Sequence, residues 1–243
     1  MTNIISFSVW GNDSKYLNGC LENARLAKEI YPGWISYFYC DSYMDESFIK
    51  NLRDTGSEVF VVKAMKSCWE GLFWRFLPAS DADVFISRDV DSRLNKREKA
   101  AVDEWLKSDK DIHCMRDHIE HNVPMLGGMW GCRNKIIPNI KELIGNWSPK
   151  NCKGSDQDFL RTKIWNYYRD KIIVHDRYYN GLTIENKEYK IGYISKYDAD
   201  NPTEGEAVPE YIYDPITFFG EHLIKPFPPH EEMVYGTYVG EII

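Results

Sequence analysis

Asp89 and Asp91 stand two residues apart in the run Val84-Phe-Ile-Ser-Arg-Asp-Val-Asp. Val84, Phe85 and Ile86 have the short apolar character of a buried strand. Side chains alternate across a strand with a period of two, so both carboxylates are expected on the same side. Two hard oxygen ligands at one spot suit Mg²⁺ or Mn²⁺, which proteins hold through one or two carboxylates while phosphate oxygens complete the shell. The competing explanation for Asp-x-Asp is a solvated turn. An EF-hand loop is excluded, because Arg93 and Leu94 occupy the positions that would need an acid or Asn and a Gly.

Other residues have types that could serve the same chemistry. Asp156-Gln157-Asp158 opens a helix-like segment, where acids are also favoured simply by the helix dipole. Gly127 and Gly128 precede Met129 and Trp130. Adjacent glycines let a ligand or another backbone come close, and Trp130 has a flat face suited to a sugar ring. A glycine bulge beneath a core tryptophan explains the same residues. Arg75 interrupts the aromatic segment Trp69-Glu-Gly-Leu-Phe-Trp-Arg-Phe, and a guanidinium there needs a carboxylate or a phosphate. Polar clusters also end two later strand-like runs, Arg116 to His121 and His175-Asp176.

The elements that must position these groups alternate. Ile4 to Trp10 reads as a strand. Gly11 to Ser14 is a turn able to cap a helix that runs to Pro32-Gly33. Trp34 to Tyr39, Glu58 to Val62 and Ile112 to Met115 are further strands, with helices expected at Glu46 to Arg53 and after the Asn95/Glu98 capping box. Ile136 to Ile144 is helical, and Ile172 to His175 is a last strand. The alternation predicts an α/β fold: one mostly parallel central sheet with helices on both faces. Ligands of such sheets bind outside the carboxyl ends of the strands, which puts Gly11 to Ser14 and Asp89/Asp91 on one rim. Residues 1–200 are assigned to this domain, and 201–243 to a Pro- and Tyr-rich extension packed on it.

Composition bounds the rest. With 243 residues, 43% of them hydrophobic, the chain can bury one substantial core. A net charge of −7 argues against nucleic acid or anionic membrane as partner. Six scattered cysteines with no Cys-x-x-Cys pair signal neither zinc nor a disulfide framework, and are expected to be buried, reduced thiols. No apolar run approaches a membrane span and no leader-like segment opens the sequence, so a cytoplasmic location is expected.

Together these residues resemble the GT-A type of nucleotide-sugar-dependent glycosyltransferase. Asp89-Val90-Asp91 matches that family's metal motif and Leu126-Gly127-Gly128-Met129-Trp130 its glycine segment. Asp156-Gln157-Asp158 is similar to an element of retaining glycogenin-like and galactosyltransferase-like enzymes. The resemblance covers roughly residues 3 to 178. More narrowly, the chain looks like small glycosyltransferases of large algal DNA viruses and of bacterial polysaccharide clusters, which would place it in a host cytoplasm if viral.

The resemblance implies a set of roles. Asp89, Asp91 and His175 would hold Mn²⁺ or Mg²⁺ on the diphosphate of a nucleotide sugar, a UDP-sugar being favoured. Phe7, Trp10, Gly11 and Asp13 would hold the nucleoside, with Arg75, Arg88 and Asp89 near the phosphates. Gly127, Gly128, Met129 and Trp130 would meet the sugar or a glycan or glycoprotein acceptor. Asp156 or Asp158 would serve as general base or stabilise an oxocarbenium-like transition state. Two rivals remain. A sugar-1-phosphate nucleotidyltransferase would need a basic, glycine-rich loop after the first strand, where Gly11-Asn-Asp-Ser-Lys offers one lysine. The other rival is a non-catalytic sugar-binding module.

Overall fold

The computed structural model describes residues 1–63, 68–116, 123–148 and 152–176. The extension assigned to 201–243, like the histidines at 118 and 121, lies outside the described residues.

The chain opens as β1 (Asn3–Val9), α1 (Ser14–Ile30), β2 (Ile35–Asp41), α2 (Glu46–Asp54) and β3 (Glu58–Val62). It continues through the short α3 (Gly71–Trp74), β4 (Val84–Arg88), α4 (Lys96–Lys107), β5 (Ile112–Arg116) and β6 (Met129–Arg133). The last elements are α5 (Ile140–Gly145), α6 (Ser155–Phe159), which passes into a π-helical stretch Leu160–Trp165, and β7 (Ile172–Asp176). Helix starts are set by side-chain caps. The Asp13 carboxylate accepts the Lys15 backbone N–H at 2.9 Å, and Asn95 accepts that of Glu98 at 2.9 Å. The Glu98 carboxylate itself turns inward and accepts from Arg88 and from the Tyr31 hydroxyl.

Seven strands form one sheet in the order β3-β2-β1-β4-β6-β5-β7. All pairs are parallel except the two made by β6, which runs antiparallel between β4 and β5. The α/β fold expected from the sequence is therefore present. A strand at Met129–Arg133 was not expected, because glycine at 131 weakens its strand signature.

Each face of the sheet carries its own core. Phe7, Phe38, Val84 and Ile86 pack with α1, α2 and Trp105 of α4. Ile4, Phe85 and Trp130 pack on the other face with Phe73, Phe76 and Phe159. Burial on this scale stabilises by ~25 cal/mol per Å² of apolar surface. Of the described cysteines, Cys20, Cys40, Cys114 and Cys132 are buried as expected, whereas Cys152 is exposed.

Candidate active site at the carboxyl end of the central strand

β4 sits in the middle of the sheet and alternates cleanly. Val84, Ile86 and Arg88 face the α1/α4 layer, while Phe85 and Ser87 face the layer of α3 and α6. The strand stops at Arg88, so Asp89 and Asp91 lie in the turn beyond it. The alternation expected to align the two acids does not reach them, and different cations hold them. Asp89 pairs with Nη1 of Arg75. Asp91 lies 3.2 Å from Nζ of Lys15, in the first turn of α1.

Arg75 ties the site together. Its backbone N–H donates to the Ser8 hydroxyl on β1 at 2.8 Å, and its Nη2 lies 3.0 Å from Oδ2 of Asp156 in α6. Burial works against its charge, but Asp89 and Asp156 outweigh that and raise its pKa. Burial also lifts the Asp156 carboxyl above the usual carboxylate range, with Arg75 opposing the rise. The glycine segment closes the back. Ser87 donates to the Gly127 carbonyl at 2.7 Å. A Cβ at Gly127 would overlap the buried Asp156 and Arg75 side chains, and one at Gly128 would overlap the Asp89 carboxylate as it stands, so both glycines let these side chains come close.

Beside this cluster, across β1, a cleft of about 460 Å³ opens at the ends of β1 and β2. Gly11, Asn12 and Leu17 line one side and Asp41, Tyr43, Met44, Asp45 and Phe48 the other. Asp41 ends β2 much as Asp89 follows β4, and accepts the Tyr43 N–H at 3.3 Å. Tyr43 is 84% exposed. Asp41 and Tyr43 are not among the residues expected at the site, although an acid closing the apolar run Ile35 to Cys40 is the same signal as Asp89 after β4.

Several expected site residues lie elsewhere. Phe7 is 0% exposed and stacks on Phe38 with ring centroids 4.7 Å apart, so no ring face is left for a base. Trp10 rests over Gly71 and meets Trp74 edge-on at 6.4 Å. Asp13 is exposed, and one of its carboxylate oxygens caps α1. Arg88, 1% exposed, faces the α4 layer and binds Glu98 and the Ser87 and Trp130 carbonyls, away from any phosphate at the rim. Trp130 is 0% exposed between Phe76 and Phe85, and Met129 is buried beside it, so neither offers a surface to a sugar. Asp158 is turned outward, its side chain 62% exposed and paired with Arg161 one turn on.

His175 stands apart from the acidic turn. β7 is three strands from β4, roughly 14 Å at the usual ~4.8 Å spacing. Its ring meets the His113 ring, Nδ1 to Nε2 at 3.0 Å, and Glu104 of α4 at 3.4 Å.

Asp89 and Asp91 nevertheless fit a hard divalent cation. Both are partly exposed acids on one turn, and an octahedral ion that takes its other oxygens from water and phosphate needs no more. Among the described residues no three His, Cys, Asp or Glu side chains converge on one point, as a closed all-protein metal cage would require.

No family model matches the chain, and no curated protein sequence matches it. Among solved structures it is similar to a glycosyltransferase involved in glycosylation of the major capsid of PBCV-1, at 14% identity and a TM-score of 0.49, over 73% of this chain and 82% of that one. It is also similar to glucosyl-3-phosphoglycerate synthase of Mycobacterium tuberculosis, at 12% identity and 0.48, over 95% and 91%. A CMP:2-keto-3-deoxy-manno-octonic acid synthetase complexed with CTP is similar at 10% identity and 0.45, over 73% and 90%. No helix among the described residues is long and apolar enough to cross a membrane.

Proposed function

We propose that the protein is a metal-dependent glycosyltransferase that moves a sugar from a nucleotide diphosphate sugar, a UDP-sugar being favoured, to a glycan or glycoprotein acceptor. One observation carries the reading: Asp89 and Asp156 pair with Arg75 at the end of the central strand, Asp91 pairs with Lys15 on the same turn, and an open cleft lies one strand away.

The cleft suits a nucleoside, with the exposed Tyr43 ring for stacking and Asp41 as acceptor for ribose or base. Asp91 and Asp89 would hold Mg²⁺ or Mn²⁺. When bound, that ion supplies positive charge to the departing diphosphate. Transfer breaks the bond between the anomeric carbon and the diphosphate oxygen, whose electron pair leaves with the nucleotide. The acceptor hydroxyl oxygen bonds to the same carbon and gives up its proton. Asp156 is the group for that proton or, kept ionised by Arg75, for the charge developing on the sugar. Its raised pKa makes it a better base than an exposed carboxylate. A nucleotidyltransferase reading is weaker, because Lys15, the one lysine after β1, is engaged by Asp91 rather than free for a triphosphate.

Calorimetric titration of UDP and GDP, with Mn²⁺ and then with EDTA, tests the proposal. One nucleotide should bind with Mn²⁺ and cease to bind with EDTA. Binding of neither would sink it.

A further inference from the structure

Lys15, Gly19 and Asn23 recur every four residues along α1 and so share one face of the helix. All three meet the acidic turn after β4. The Lys15 ammonium lies 3.2 Å from Asp91. At Gly19 any Cβ would overlap the Val90 carbonyl, so the turn comes this close only because the side chain is missing. Asn23, buried in the helix interior, donates Nδ2 to the Ser92 carbonyl at 2.8 Å and to the Val90 carbonyl at 3.4 Å. Its Oδ1 accepts the Leu94 N–H at 3.0 Å.

Val90 and Ser92 are the two neighbours of Asp91, so one amide grips the backbone on both sides of the carboxylate. Arg93 Nη1 donates to the same two carbonyls, at 3.2 Å to Val90 and 3.1 Å to Ser92, but of the two only Asn23 also accepts the Leu94 N–H and ties the turn to α1. The site needs two donors and an acceptor on one short planar group, which a carboxylate or an apolar residue of the same size lacks. Asparagine is a poor choice for a helix interior on propensity alone. Its value lies in satisfying backbone groups of a buried turn that has no ladder partner.

We infer that Asn23 is a positioning residue for Asp91: with Gly19, it holds the acidic turn so that the Asp91 carboxylate is presented at the rim in metal-binding geometry. The inference rests on the metal reading of Asp91. Loss of this grip would let Asp91 move while the sheet beneath it stays intact.

The test is Mn²⁺ titration of the full chain, alone and with UDP, read by the electron paramagnetic resonance of free Mn²⁺, with thermal unfolding measured beside it. Asn23→Ala should bind Mn²⁺ about ten-fold more weakly than wild type at temperatures where both are folded. Ala24→Gly, on the same helix but packed only in the core, should lower the unfolding temperature and leave Mn²⁺ affinity unchanged. Wild-type affinity in Asn23→Ala, or an equal loss in Ala24→Gly, would overturn the inference alone. If Asn23→Ala does not fold, Gly19→Ala takes its place, and wild-type Mn²⁺ affinity in that variant would overturn it equally. A wild-type chain that binds no Mn²⁺ under either condition would end the metal reading, and this inference with it.

Discussion

Arg75 holds Asp156 by a 3.0 Å contact inside the protein, both side chains almost fully buried, while its other nitrogen holds Asp89 at the rim. One guanidinium thus links the proposed metal turn to the proposed catalytic acid. The link also makes Asp156 and Asp158, two residues apart in sequence, unequal.

Asp156→Ala should cost about 3 kcal/mol of unfolding free energy, since it leaves a buried guanidinium short of a partner. Asp156→Asn keeps an oxygen for Arg75 and should fold nearly as well, with turnover reduced at least ~100-fold. Asp158→Ala should change stability by under about 0.5 kcal/mol and leave turnover alone, because its ion pair is exposed. Chemical denaturation and donor-sugar transfer assays separate the three. Equal loss of turnover at both positions would contradict the assignment.

Gly128→Ala would drive a methyl group into the Asp89 carboxylate. Relief requires the part-exposed Asp89 carboxylate to swing away from Arg75, at about 1 kcal/mol. The expected readout is weaker Mn²⁺-dependent nucleotide binding together with a lower unfolding temperature. Binding and stability both at wild-type level would mean that the turn and the glycine segment are less tightly packed than described.

Tyr43→Ala removes the exposed ring at the mouth of the cleft. Nucleotide affinity should fall about ten-fold, consistent with ~1–3 kcal/mol for stacking of a base on an aromatic ring. Mn²⁺ affinity without nucleotide should not move. Calorimetry on the two ligands separately distinguishes this variant from Asp91→Ala, which should lose the metal.

His113 gives a pH dependence with a definite sign. Burial, then His175 and Arg88, press its pKa well below the ordinary 6.5. The unfolded chain therefore binds a proton that the native chain refuses as pH falls below about 6.5. The stability associated with a neutral His113 is complete above that pH and is lost on acidification toward the native pKa. His113 stacks on Trp105 and bonds to His175, which in turn faces Glu104. His113→Gln should flatten the fall in unfolding temperature between pH 7 and pH 5 (about the range where an ordinary histidine titrates). An unchanged slope would assign the acid sensitivity to other groups.

Much of the framework was legible because its causes are local. Asp13, Pro32-Gly33 and Asn95 mark helix ends through their own backbone chemistry. The runs around Phe7, Phe38 and Val84 mark strands by composition. The acidic turn stood out because charge follows an apolar strand abruptly. β6 was missed, since a strand interrupted by Gly131 has little local signature and is held in place by its neighbours β4 and β5.

Sequence by itself determined the alternation of strands and helices, one core of adequate size, and acids and glycines at the ends of strands, all of which follow from side-chain period and turn chemistry over a few residues. Only the tertiary structure decided which of those residues meet. Arg75 and Arg88 are alike in sequence, yet one reaches the acids and the other is sealed against Glu98, because they leave the backbone on opposite sides of the sheet. His175, a ligand only by resemblance, stands on β7, three strands from β4 in the sheet order. Asn23 drew no notice in its helix, because its partners lie about seventy residues away and only folding brings them within reach of one amide.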